Sequence, residues 1–180
     1  MEEKVSVWKA NLNSGVIMGT IGIVYTLVMY FLDLTLNKSM GYIFLFLTIF
    51  ILFYFIKTYR NNYLNGYITY GQSVGAGVII FLYYSIITAI FMYILYKVID
   101  PGLINKMLAY VEETMTKSGK VPAGTIDTVM AFQKKIMIPE IQAPTSIIIN
   151  MIFGTIISLI VSIFTKKEGN PLLIDEPEKQ

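Results

Sequence analysis

Four apolar runs order the chain, over about 14–32, 40–56, 73–96 and 146–164. Each is near or above the roughly 18–20 residues that carry an α-helix across the hydrocarbon of a bilayer. In lipid every backbone N–H and C=O must be satisfied inside the protein, and a helix does this by itself. The pattern predicts an all-α fold, a transmembrane antiparallel bundle of four helices, with no strand. The first run is uncharged from Ser14 to Leu32, and its small residues Gly15, Gly19, Gly22 and Thr26 fall on one helical stripe. Gly15 and Gly19 make a G-x-x-x-G, which lets another backbone approach closely. The neighbour is either a helix of the same bundle or a second copy of the chain. Asp33 closes the run as an interfacial acid.

The link Leu34–Ser39 is short enough to fold the first two spans into a hairpin. The second run, rich in Phe, Leu, Ile and Tyr, predicts the helix most exposed to lipid. The stretch Tyr54–Ser73 then breaks the apolar pattern. It carries Tyr54, Tyr59, Tyr63, Tyr67 and Tyr70 together with Lys57 and Arg60, a composition suited to a lipid–water boundary. Asn65-Gly66 supplies turn chemistry. Thr69 and Gln72 fit a capping box, which starts the third helix at about Thr69. Gly71 and Gly75 form a second G-x-x-x-G, and Asp100-Pro101 stops the helix after about Ile99.

Residues 100–143 read as an extramembrane amphipathic helical hairpin. Ile104, Met107, Leu108, Val111 and Met115 recur at helical spacing, with Asp100 as cap, Pro101 in the first turn and Gly119 as stop. A second short helix starts near Pro122–Thr125, carries Ile126, Val129, Met130, Ile136 and Met137, and ends by Pro139. These apolar faces either cover each other or dock on a partner or the membrane surface. In the fourth run Ser146, Asn150, Gly154, Ser158 and Ser162 recur every four residues. Such a stripe is interhelical glue or the wall of a water-filled path. One membrane domain over 1–168 and a disordered charged tail over 169–180 account for the whole chain.

Composition sharpens the membrane reading and narrows the chemistry. The chain is 55% hydrophobic and 14% charged, against roughly 25% charged in soluble domains. A net charge of +2 with dispersed basic residues gives no electrostatic footprint for nucleic acid. There is no Cys and no His, which removes disulfides, thiolate chemistry, and Ser–His or Cys–His nucleophilic catalysis. No phosphate-cradling glycine loop or EF-hand spacing occurs, so neither cofactor nor metal is expected. Asp33 and Asp100 lie at or beyond span ends, unsuited to a paired intramembrane carboxylate mechanism. The expectation is a non-enzymatic accessory or scaffold protein. The alternative is a small oligomeric transporter or channel, for which Ser85, Thr88, Asn150 and Ser158 are the polar hints.

Basic residues close to span ends set orientation. Lys9, Lys57, Arg60, Lys166 and Lys167 hug the ends on the side of both termini, whereas Lys38 and Lys97 do so on the other. Both termini and the tyrosine loop are therefore expected in the cytoplasm. Lys57, Arg60 and Gln72, beside the N-terminus of the third helix, make a candidate anionic-lipid contact. The competing reading is plain positive-inside anchoring. Gly15, Gly19, Gly22, Gly71, Gly75, Asn150, Gly154 and Ser158 are the candidate helix-packing positions.

The chain resembles a bacterial family of small four-helix membrane proteins known as a domain of unknown function, number forty-one ninety-nine. The likeness rests on Tyr59-Arg60, Gly66-Tyr67-Ile68 and Gly71-Gln72 with Gly75, then Asp100-Pro101, and Ser158-Leu159-Ile160 before Lys166-Lys167. It covers about Trp8 to Lys167, with Ser73-Val74 where the family pattern has Ala-Phe. The resemblance implies a bacterial inner-membrane protein with no catalytic residues to carry over. It also implies an accessory role beside a membrane enzyme of envelope glycan or lipid assembly. The expected partners are thus the lipid bilayer, such an enzyme, or a second copy of the chain.

Overall fold

The computed structural model describes residues 5–169. Glu2, Glu3, Lys4 and the charged tail over 170–180, with Lys179, lie outside the described residues. Among the described residues the fold is all-α, with six helices and no strand. Four helical spans, Val7–Phe31, Lys38–Tyr63, Tyr70–Ile99 and Pro139–Thr165, are long and apolar enough to cross a membrane.

α1 (Val7–Phe31) begins well before Ser14. The Ser6 hydroxyl accepts from the Lys9 N–H, and fully buried Asn11 donates its amide to the Val7 carbonyl at 2.8 Å. The polar first turns thus stay helical. Asp33, at φ 55°, turns the chain out of α1, a left-handed conformation that a short polar side chain tolerates. α2 (Lys38–Tyr63) is capped by the Asn37 side chain, which accepts from Ser39 N–H at 2.9 Å. It continues beyond the apolar run through Lys57 and Arg60.

Asn65 (φ 52°) and Gly66 (φ 83°) then reverse the chain. α3 (Tyr70–Ile94) opens on the full capping box: the Thr69 side chain accepts from Gln72 N–H, and the Gln72 side chain from Thr69 N–H. Its end widens into a π-turn, Leu95–Ile99, closed by Asp100 N–H donating to the Leu95 carbonyl at 2.8 Å.

α4 (Leu103–Ser118) starts later than the Asp100-Pro101 signal suggests. Asp100 serves the turn before the helix instead, where its carboxylate accepts from Gly102 N–H at 2.9 Å. Gly119, at φ 62°, ends α4. α5 (Ala123–Ile136) follows, and Pro139 opens α6 (Pro139–Thr165) rather than closing the helix before it. Proline fits a first turn, whose N–H groups have no intrahelical partner. Pro144 lies inside α6, so the helix reaches back past the apolar run that starts at Ser146.

α3 is the central helix. In its most apolar window 44% of residues are buried, against 28% for α6 and 22% each for α1 and α2. α1 and α2 therefore share the expected lipid exposure equally. α1 lies along α3 in rising register: a Cβ on Gly15 would collide with Tyr83, and one on Gly19 would stand 2.9 Å from Ile87. α6 lies along α3 in falling register, with Gly77 against Ser158 and Gly154 against Phe81. In lipid such interfaces form through close backbone approach rather than through hydrophobic expulsion from water. The main core gathers Leu52, Ile56, Ile68, Ile80 and Val161. A second cluster joins α4 and α5 through Leu108, Ile126, Met130 and Met137, so their apolar stripes cover each other. A third, around Leu95, Tyr96 and Leu103, ties that helix pair to the end of α3.

Candidate functional site

Two regions concentrate polar geometry, one at each end of α3. The first is built on the tyrosine-rich connection between α2 and α3. Ile68 pairs with Lys167 as an isolated antiparallel bridge, each N–H donating to the other's carbonyl at 2.9 Å. Ile68 is buried, and so locks the connection against the exit of α6. Arg60 Nη1 donates to the Thr165 carbonyl at 3.0 Å. That places a cation on the negative end of the α6 dipole and satisfies a terminal acceptor. The Arg60 Nε donates to Asn61 at 3.1 Å. The Ser73 and Thr165 hydroxyls share a buried hydrogen bond of 2.6 Å between α3 and α6. Lys167 sits over the Tyr67 ring, 5.4 Å from its centroid, and the Tyr70 hydroxyl donates to the Leu159 carbonyl at 3.1 Å.

The residues singled out by sequence divide accordingly. Arg60 is half-buried and engaged with α6, Gln72 is engaged in the cap of α3, and Lys57 is exposed. Gly15, Gly19, Gly22 and Gly154 meet neighbouring helices closely, and Ser158 meets Gly77. Gly71 and Gly75 have open space where a Cβ would stand. Their spacing puts them on the face of α3 away from α6, and Gly77 takes the close approach instead. Asn150 is half-buried and lines a cavity.

The second region lies where the π-turn of α3 meets α4 and α6. Lys97 pairs with Glu140, bridging α3 and α6, and its ammonium stands 5.3 Å from the Tyr93 ring centroid. Asp100 is a hub. It accepts from the Tyr30 hydroxyl at 3.2 Å and from Gly102 N–H, and Lys106 lies 3.6 Å away. Three cavities surround this end. One of about 410 Å³ lies beside Lys97 and Lys134 under Pro139. One of about 520 Å³ lies between the α1–α2 link and α4. One of about 250 Å³ lies between α1, α3 and α6. On the exposed face of α4, the hydrogen bond from Lys117 holds the Glu113 carboxyl below the usual carboxylate range.

Sequence reasoning did not find Asn11, the Arg60–Thr165 cap, the Ser73–Thr165 bond or the Ile68–Lys167 bridge. The last three join residues about a hundred positions apart, and no local periodicity encodes them. Asn11 carried a weak signal, a polar residue four positions before Gly15 on the packing face.

Four apolar helices around shared internal interfaces define a multi-pass helical membrane protein. Residues 13–167 match the family model described as "Protein of unknown function (DUF4199)", and the chain belongs to that family. No curated protein matches the chain, and no solved structure does either.

Proposed function

We propose that this chain is a non-enzymatic accessory or scaffold protein of the bacterial inner membrane. In this reading the long helices form an antiparallel bundle and α4–α5 an extramembrane hairpin. Both termini and the Tyr54–Ser73 connection face the cytoplasm. The observation that carries the reading is the closure of the α3–α6 interface. A Cβ on Gly77 would collide with Ser158, and one on Gly154 with Phe81. The lower part of the polar stripe is thus consumed in packing and leaves no room there for a hydrated path. The α1 and α2 surfaces remain broadly apolar and uncovered, as Phe46, Phe50, Val24 and Ile17 illustrate. This face suits both lipid and a membrane enzyme of envelope glycan or lipid assembly. The chamber at Asn150 favours the second reading, a small oligomeric transporter.

Crosslinking in native membranes, followed by purification in mild detergent, tests the two. Recovery of a stable complex with a membrane enzyme is the expected result. A lone symmetric oligomer that conducts a solute overturns it. For orientation, a reporter fused after Gln180 is expected to be active in the cytoplasm, and activity confined to the outside reverses the topology. Exposed Lys57, which has no ion-pair partner among the described residues, is the cation of the proposed anionic-lipid contact with Arg60 and Gln72. Lys57→Gln, which leaves the Arg60 cap intact, should reduce binding to phosphatidylglycerol vesicles without altering insertion; equal binding removes that contact.

A further inference from the structure

The chamber of about 250 Å³ between α1, α3 and α6 is lined by two kinds of polar group. Three hydroxyls are satisfied by their own helices. Thr26 donates to the Gly22 carbonyl at 2.9 Å, Thr88 to the Tyr84 carbonyl at 2.9 Å, and Ser146 to the Ala143 carbonyl at 2.7 Å. Two groups are not. Tyr84 is only 8% exposed and lines the chamber, yet its hydroxyl has no partner among the described residues. The Asn150 carboxamide, on the opposite wall from α6, has none either. Both groups are open to the cavity rather than sealed in the protein, and in a membrane-spanning segment a hydrogen-bonding occupant there stabilises them.

The chamber does not stand alone. Thr26 and Met92 also line the cavity of about 520 Å³, which is walled by Met29, Met40, Phe44 and Met107. Together the two reach the range of about 300–1,000 Å³ typical of ligand sites. No charged side chain lines the smaller one. Methionine-rich walls adapt to irregular apolar shapes.

We propose that the paired cavities bind an uncharged amphiphile. A carbonyl or hydroxyl of its head occupies the chamber between Tyr84 and Asn150, and its hydrocarbon lies in the methionine-lined cavity. The Tyr84 O–H donates to a carbonyl or accepts from a hydroxyl, and the Asn150 carboxamide does both. A charged head finds no counter-charge in the chamber and is excluded. Lys38, on the wall of the larger cavity, marks the competing arrangement, an anionic lipid held at that cavity instead.

Scintillation proximity with tritiated dioleoylglycerol on the full chain in detergent micelles tests this. Saturable binding is expected, with no displacement by an equal amount of dioleoylphosphatidylglycerol. Tyr84→Phe keeps the ring against Gly22 and removes only the hydroxyl. It and Asn150→Leu should each weaken binding about fivefold, the loss of one hydrogen bond. Lys38→Gln should leave binding unchanged. Absence of saturable binding by the wild-type chain overturns the proposal. So does unchanged binding in Tyr84→Phe, which stands as the deciding variant if Asn150→Leu fails to fold. Displacement by dioleoylphosphatidylglycerol that is lost in Lys38→Gln overturns it in favour of an anionic ligand.

Discussion

Single residues set how closely these helices meet. Gly154 has no room for a methyl group, because a Cβ there falls into the Phe81 ring, whereas Gly75 faces open space. Both are glycines in apolar helices and look alike in sequence; only the neighbour separates them. Gly154→Ala is expected to destabilise the protein by about 1–3 kcal/mol through overpacking. Gly75→Ala should be neutral, or stabilising by up to about 1 kcal/mol from helix propensity. Reversible unfolding in mixed SDS micelles measures both, and equal effects would mean that α3 and α6 do not meet as described. Arg60 presents a similar contrast. By sequence it is one of several basic residues near a span end, whereas in the structure it caps α6. Arg60→Met should cost about 1 kcal/mol, discounted for its half-exposed position. Hydrogen exchange should speed up in the last turn of α6 and not in α1.

At the scale of elements, what was legible were the features written in local chemistry. The apolar runs located all four long helices. The Thr69–Gln72 box placed the start of α3, and Gly119 placed the end of α4. Boundaries set by competing signals were not legible. Pro139 read as the end of the second short helix, yet a first-turn proline is compatible with helix and α6 runs from Pro139. The fit of α4 to α5 follows from their periodicity, since the two apolar stripes meet. On the other face of α4, Glu113 and Lys117 pair one turn apart. Because the Glu113 pKa is lowered, the pair's small contribution is present above the unfolded value and is lost as pH falls through the folded one. A carboxyl NMR titration should give Glu113 a midpoint below the ordinary value of about 4.3. In Lys117→Met the midpoint should return toward that value; an unshifted wild-type titration removes the pair.

At the scale of the molecule, the tyrosine-rich connection between α2 and α3 joins distant parts of the chain. Its composition suits a lipid–water boundary, an expectation that sequence alone conveys. Its partner does not emerge from sequence, because the bridge to Lys167 uses backbone groups that every residue carries. The bridge, the Arg60 cap and the Ser73–Thr165 bond all converge on the exit of α6. The α2–α3 connection and the end of α6 should therefore loosen together. Lys167→Pro removes the N–H that donates to Ile68. Lys166, at φ −56° and ψ 135°, already has the backbone that a following proline requires. The variant should lose about 1 kcal/mol and become faster to cleave by protease within residues 64–69. Lys167→Met keeps the backbone bond and loses only the contact with the Tyr67 ring, so its cleavage rate should stay near that of the wild type. If both variants cleave alike, the side chain rather than the backbone bridge holds the connection. If neither differs from wild type, the connection is held by the Arg60 cap and the buried hydroxyl pair alone.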